Sequence, residues 1–307
     1  MTFTRAVVSS PASIANFGPG FDAFGLCLDS PRDRISIMRD LDGKRSIRIV
    51  GKHTLPTRPE RNVASYAAMK LAEICGKAET GFVMTVRKGM KPGSGLGSSA
   101  ASSVGGALAM AALLGVRDRR KVLEAAAMGE ELVSGSRHFD NVAAAIYGGF
   151  TIVSDVQTRT VIQVSPPRFQ VIVALPEISI KTRNARAILP KTVKLGDAVA
   201  NVGWASGMMH AMMKGDIGMI GRYLNDKLAM PYRRELIPGY EKVQEAAMRA
   251  GAVGVSIGGS GPAVFAISQT GGAKIKSAMV SSFRKAGLRA ESFITYPGKG
   301  ATIESVE

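Results

Sequence analysis

A chain of 307 residues with 46% hydrophobic content is long enough to bury two domain cores, which excludes a disordered polymer. Cys27 and Cys75 are its only cysteines and His53, His138 and His210 its only histidines, a stock that excludes a disulfide framework and a structural zinc site and points to a reducing cytoplasm. The net charge of +16 attracts anions, yet the basic residues are scattered and aromatics make up only 6%, so no nucleic-acid footprint forms and an anionic small substrate is the better match.

In chain order, residues 5–9, 34–39 and 46–50 read as strands, punctuated by Gly18-Pro19-Gly20 and Asp42-Gly43. A helix is predicted over 62–75, a strand over 81–86, and helices over 100–116 and 119–133. Ser134-Gly135-Ser136 breaks the pattern ahead of a polar cluster at 138–141. Residues 149–155 and 160–164 form a hairpin pattern, and Pro166-Pro167 suggests a boundary between domains at 1–166 and 167–307. The second half interleaves strands (169–175, 253–257, 263–268, 291–296) with helices (193–214, 216–228, 240–250, 274–286), an α+β order. The weakly polar run 104–116 is too short and glycine-rich to span a bilayer, and the first residues carry no sustained apolar run, so neither a membrane partner nor a targeting segment is expected.

The most informative segment is Lys91-Pro92-Gly93-Ser94-Gly95-Leu96-Gly97-Ser98-Ser99-Ala100-Ala101, set between a strand and an Ala-rich helix. Glycines let backbone N–H groups close on an anion, and the helix start adds free donors and the positive end of its dipole. Gly95-x-Gly97-x-x-Ala100 formally satisfies a dinucleotide fingerprint, but Asp118 falls between two helical patterns rather than at the end of a second strand. No Walker-type loop occurs. Gly254-x-Ser256-x-Gly258 matches a hydrolase elbow and fails on chain order, because no histidine follows His210. The turn 258–261 either closes over the ligand of the first loop or simply links two strands. His138, Asp140 and Asn141 suit a polar ligand or a local turn. Glu130 is either a solvated helix glutamate or, facing Ser98, part of a magnesium site. Asn16 and Asp22 flank the Gly-Pro-Gly turn, where such residues are also common for local reasons.

Taken together, residues 11–22, the loop 91–101, His138-x-Asp140-Asn141, Thr182 with Arg186-x-x-Leu189-Pro190, Pro231-Tyr232-Arg233 and the turn 258–262 resemble the GHMP small-molecule kinases over nearly the whole chain, and closely those acting on L-homoserine. Lys91 stands where the family usually has proline. The resemblance implies a ribosomal protein S5 domain 2-like N-terminal domain, a ferredoxin-like C-terminal domain, and ATP with Mg²⁺ in the cleft between them. It further implies nucleotide contacts from Asn62, residues 91–101 and Thr182, and metal contacts from Ser98 and Glu130. Substrate contacts would come from Asn16, Asp22, His138, Asp140, Arg186, Arg233 and Gly259, with Asn141, Asp140 and Arg186 at the reacting centre. Asp22 and Asp140 suit an ammonium; Arg186 and Arg233 suit a carboxylate. Kinases of mevalonate, shikimate or a sugar are the alternatives, and a homodimer is implied by the family alone.

Overall fold

The computed structural model describes residues 3–307 and divides into two sheets with helices packed against each. β1 (Arg5–Ala15) and β2 (Phe24–Asp40) form a long antiparallel pair. Both run well beyond the predicted segments. The ladder absorbs Pro11 at a register shift between Pro11 and Ser13, the kind of irregularity where proline is tolerated.

β3 (Arg45–Val50), α1 (Val63–Ile74) and β4 (Gly81–Arg87) make a parallel crossover, with β4 returning antiparallel to the outer half of β2. α2 (Ser98–Leu114) and α3 (Arg119–Ser134) follow, then α4 (Asp140–Tyr147) and the hairpin β5 (Phe150–Asp155) and β6 (Thr160–Val164). The helices cover the sheet through Ala67, Leu71, Val104, Met110, Leu123 and Val142, packed against Val8, Ile35, Ile37, Phe82 and Met84.

β7 (Gln170–Pro176) opens the second sheet. α5 (Thr182–Ala187), α6 (Leu195–Lys214), α7 (Ile217–Arg222), α8 (Met230–Arg233) and α9 (Tyr240–Arg249) lead to β8 (Gly254–Ile257), β9 (Val264–Ser268), α10 (Gly272–Lys285) and β10 (Ala290–Thr295). Strand order β10-β7-β9-β8, all antiparallel with α9 and α10 on one face, is the expected ferredoxin-like arrangement.

Alternation along β7 and β9 explains how the halves join. Ile172, Ala174, Val264 and Ala266 face α9 and α10, while Val171, Val173, Phe265 and Ile267 face Phe17, Phe24, Phe150 and Met208. Phe17 stacks on Phe265 at 5.5 Å and meets Phe150 edge-on at 5.8 Å. The second sheet is therefore buried on both sides.

Two further expectations change. The helix predicted over 216–228 ends at Arg222, because the Asp226 carboxylate accepts the N–H groups of Leu228, Ala229 and Met230 and starts α8 instead. A short closing strand, β11 (Thr302–Val306), lies within the 167–307 range assigned to the second domain but pairs with β1 in the first sheet.

Candidate active site

A cleft of about 490 Å³ runs between the halves, lined by the turn after β1, the start of α1, the glycine loop, α3, α4, α5, Arg233 and the turn 259–261. Its two ends differ in chemistry.

At one end lies the loop before α2. Gly97 sits at φ 63° as the cap of α2, and a Cβ there would lie 2.3 Å from Ser13 Oγ and 2.8 Å from Asn141 Oδ1. Gly95, at φ 79°, would bring a Cβ within 2.6 Å of Gly258 O and 2.7 Å of Gly261 O. The loop is thus wedged between β1 and the C-terminal glycine turn. Ser13 N donates to Leu96 O (3.1 Å), Ala263 N to Ser94 O (3.2 Å) and Gly259 N to Ala15 O (3.2 Å). The turn 258–261 thus packs directly on the loop as well as linking β8 to β9.

The first bond of the α2 ladder is Ala101 N to Gly97 O, at 2.8 Å. Among the described residues, the N–H groups of Gly93, Gly95, Gly97 and Ser98 have no protein acceptor, which leaves an array of donors at the helix start. Ser94 Oγ and Glu130 Oε1 are also buried without a partner, and both residues line the cleft. Burial pushes the Glu130 carboxyl up to about 7, with the Ser99 hydroxyl pulling the other way. Glu130 and Ser98 offer hard oxygen donors on the same wall. Among the described residues no group of three or more His, Cys, Asp or Glu is gathered to hold a metal ion.

Beneath the loop is an ion pair that sequence reasoning missed. Lys88 (side chain 2% exposed) bonds Asp33 (0%), and its ammonium also donates to Ser98 O at 2.7 Å and to Ser102 Oγ at 2.9 Å. Gly89 N and Ser102 Oγ both donate to Asp33, at 2.9 and 2.7 Å. Burial lowers the Lys88 pKa and Asp33 opposes the shift. Neither residue was singled out in sequence; the pairing of β2 with β4, which sets Arg34 opposite Arg87, brings their neighbours Asp33 and Lys88 together.

Not every predicted loop residue reaches the cleft. Lys91 is exposed outside its lining, Leu96 is buried in the interdomain core, and Ala100 and Ala101 are buried against neighbouring elements. Only Pro92, Gly93, Ser94, Gly95, Gly97, Ser98 and Ser99 line it, so the side chains of the other four face away. Asn62 lines the cleft beside Leu55, Pro56 and Val63, with its amide used twice: Oδ1 caps α1 by accepting from Ala64 N, and Nδ2 donates to Pro56 O. Arg61, Lys181 and Arg183 also line it and were not singled out in sequence.

The other end gathers charged side chains from four segments. Asp22 and Asn16 both hold left-handed backbone, at φ 55° and 54°, and Asp22 N donates to Asn16 Oδ1 at 2.8 Å. Asp22 faces Arg186 across the cleft in a two-pronged pair of 2.8 and 3.2 Å. His138 Nδ1 stands 3.8 Å from Asp22 Oδ1 and its Nε2 is 2.8 Å from Ser136 Oγ. Burial lowers the His138 pKa, opposed by Asp22, so the ring is neutral at pH 7.

α4 begins at Asp140, which places the predicted 138–141 cluster at a helix N-terminus. Asp140 accepts from Asn141 N at 2.8 Å, while burial and then the charge of Asp22 push its carboxyl up to about 6. Asn141 Oδ1 accepts from Ser13 Oγ at 2.9 Å. Arg233 is 5% exposed, donates to Gly259 O at 2.9 Å and Ala185 O at 3.4 Å, and shares the Phe21 ring with Arg186 at 5.4 and 5.7 Å. Thr182 Oγ1 lies 3.3 Å from Ser260 Oγ on the rim. The structure therefore brings Asn16, Asp22, His138, Asp140, Asn141, Thr182, Arg186, Arg233 and Gly259 to one cleft with the loop.

Ser256 of the rejected hydrolase motif is a buried residue of β8. No helix among the described residues is long and apolar enough to cross a membrane.

The GHMP kinases N terminal domain matches residues 62–149 and the GHMP kinases C terminal domain residues 208–285. The homoserine kinase of Pyrococcus furiosus is 46% identical over 294 residues, covering 96% of this chain and 98% of that protein. The homoserine kinase of Thermococcus gammatolerans is 45% identical over 292 residues, covering 94% and 97%. The crystal structure of homoserine kinase from Cytophaga hutchinsonii superposes with a TM-score of 0.91 at 35% identity, covering 97% of each chain. With both family domains matched in order and full-length relatives at these identities, the chain belongs to the GHMP kinase family.

Proposed function

We propose that the chain transfers the γ-phosphoryl group of ATP to the side-chain hydroxyl of L-homoserine, giving ADP and O-phospho-L-homoserine. The observation that carries this reading is the two-ended cleft: an array of free backbone donors faces groups of both signs suited to an α-amino acid.

Phosphoryl transfer asks a protein chiefly for alignment and neutralisation of charge. The N–H groups of Gly93, Gly95, Gly97 and Ser98 hold the phosphate oxygens at the start of α2, and Lys88 fixes the first turn of that helix through Ser98 O. Asn62, Leu55, Pro56 and Val63 make the wall for the base. Glu130 and Ser98 would hold Mg²⁺; the orphaned Glu130 Oε1 fits a hard cation, which neutralises phosphate charge when bound.

Asp22 takes the ammonium with Asn16 and His138 beside it, and the Arg233 fork takes the carboxylate. Asp140 stands on the ammonium side as well. Asn141, held by Ser13, orients the attacking hydroxyl. No side chain of settled basicity is committed to the proton: Asp140 titrates near 6 but is engaged with Asn141 N, so the phosphate itself is an adequate acceptor.

The test is a substrate panel. Purified chain with ATP and magnesium is offered L-homoserine, mevalonate, shikimate and galactose, and products are followed by phosphorus NMR. A phosphoester resonance with homoserine alone is expected; phosphorylation of another alcohol with homoserine untouched would replace this reading.

A further inference from the structure

We propose that Lys181 and Arg183 close on the β- and γ-phosphoryl oxygens of the bound nucleotide and supply the positive charge that the loop wall lacks, an inference that rests on the ATP half of the reading above. Residues 92–99 carry no charged side chain, so the loop meets a phosphate with neutral N–H groups. Lys88, beneath the loop, is 2% exposed, and its ammonium is held by Asp33, Ser98 O and Ser102 Oγ. Glu130, in the same cleft, adds negative charge whenever it ionises. One divalent ion neutralises only part of the charge on a triphosphate, so this wall by itself leaves the nucleotide undercompensated.

The opposite wall carries free cations. α5 spans the two ends of the cleft: at its start Thr182 Oγ1 lies 3.3 Å from Ser260 Oγ, and near its end Ala185 O accepts from Arg233 and Arg186 pairs with Asp22. The start is the phosphate end. Ser260 belongs to the turn whose Gly258 and Gly261 carbonyls close around Gly95, and a Cβ on Gly261 would lie 3.3 Å from Ile180 Cδ1. Residues 180–182 therefore rest on the turn that itself rests on the loop. Lys181 and Arg183 flank Thr182, and both line the cleft. Arg183 and Arg186 are three residues apart, neighbours on one helix face separated by about 4.5 Å along the axis. Arg186 marks the amino-acid end of that face and Arg183 its phosphate end.

The two ends of α5 also differ in what their cations hold. Arg186 is engaged with Asp22, and Arg233 behind it with Gly259 O and Ala185 O. Among the described residues, the side chains of Lys181 and Arg183 make no hydrogen bond and no ion pair, and both residues are exposed although they line the cleft. Long cationic side chains without a protein partner are free to follow a ligand. During transfer the bond from the γ-phosphorus to the bridging oxygen breaks with its electron pair left on ADP. The acceptor oxygen forms the new bond, and its proton passes to a phosphoryl oxygen. Charge gathers on the bridging oxygen as the bond lengthens, so a cation there stabilises the transition state more than the bound ground state.

The test uses the full chain with Lys181→Met, Arg183→Met and both together, changes that keep an apolar stem and remove the charge. Because neither side chain bonds the protein, the unfolding midpoint should not move. Calorimetric titration with ATP, ADP and AMP in the presence of magnesium should show the double variant weakened about tenfold for ATP, less for ADP and not at all for AMP, with a flatter salt dependence for ATP. At saturating homoserine, kcat should fall about 10- to 100-fold, and Arg183→Lys should keep more activity than Arg183→Met. Homoserine uptake without nucleotide should be unchanged. ATP affinity and kcat that do not change, or equal losses for ATP and AMP, overturn the clamp and leave the homoserine reading standing. A graded loss from ATP to AMP in a chain that ignores homoserine supports the clamp and removes the substrate reading. An unsubstituted chain that takes up no adenine nucleotide overturns both.

Discussion

The phosphate end and the amino-acid end of the cleft are built from different materials. The first is backbone: a glycine- and serine-rich loop with N–H groups left without protein acceptors, where glycine permits the required φ and a Cβ at Gly95 or Gly97 would meet the turn 258–261 or Ser13. The second is side chain: Asp22, His138, Asp140, Arg186 and Arg233 arrive from four separate segments. Backbone donors suit a phosphate, which presents several equivalent oxygens. Separate side chains suit an amino acid, whose two charges have opposite sign and fixed spacing. Substitutions at the two ends should accordingly separate nucleotide from acceptor effects.

The largest expected effect tests a place where the backbone end depends on a buried side chain. Lys88→Met leaves Asp33 buried and unpaired, which should lower stability by about 3–5 kcal/mol in denaturant titration. Combining it with Asp33→Leu should return part of that stability, since an apolar pair avoids the desolvation of two charges. KM for ATP should stay raised in the double variant, because Ser98 O has lost its anchor. Full recovery of ATP affinity would reduce the pair to a structural filler.

Next comes Gly97→Ala. A Cβ 2.3 Å from Ser13 Oγ on left-handed backbone must shift the loop, and kcat/KM for ATP should fall about 10²–10³-fold, the loss seen when an oxyanion donor is misplaced. Homoserine uptake measured without nucleotide should survive. Arg233→Ala should do the reverse, raising KM for homoserine about 10- to 100-fold through loss of charged hydrogen bonds, with KM for ATP unchanged. Equal changes in both constants for either variant would erase the division between the two ends.

The same division explains what sequence could reveal. The loop was legible because its chemistry is local: three glycines and three serines between a strand and a helix need no tertiary information. The ferredoxin-like half was legible from its order of strands and helices, but the helix expected over 216–228 failed because Asp226 caps a new turn rather than extending the old one. β11 was missed because five alternating residues at a chain end carry little pattern until β1 is there to pair with them. At the amino-acid end the residues themselves were named through the family resemblance, and the fold gathers them along one cleft. Their mutual arrangement was not foreseen. Asp22 and Arg186 were assigned to opposite ends of a ligand, and that they satisfy each other across 164 positions is a property of the folded cleft alone. Lys88 and Asp33 are the harder case, two strand charges that only a ladder register makes into partners.

The smallest expected effect concerns Glu130, a carboxylate that lines the cleft at the phosphate end. Burial raises the Glu130 carboxyl from 4.5 to about 7, so the fold prefers its neutral form. The sign follows: the destabilisation is absent below about pH 4.5, grows as pH rises, and is complete above about 7. A cation needs the ionised form, and so the apparent affinity for magnesium in the presence of ADP should rise roughly tenfold between about pH 6 and 8 and level off above that. Calorimetry at pH 6 in two buffers of different ionisation enthalpy should count about one proton released per magnesium bound. Glu130→Gln should reduce both the pH dependence and the proton release to what the terminal phosphate of ADP contributes by itself, while raising stability at pH 8, because the ionised form no longer has to be buried. The same pH dependence and proton release in the unsubstituted chain as in Glu130→Gln would instead place the cation on phosphate oxygens alone, and the division between backbone and side chain would then hold at the loop wall of the phosphate end without exception beyond Lys88.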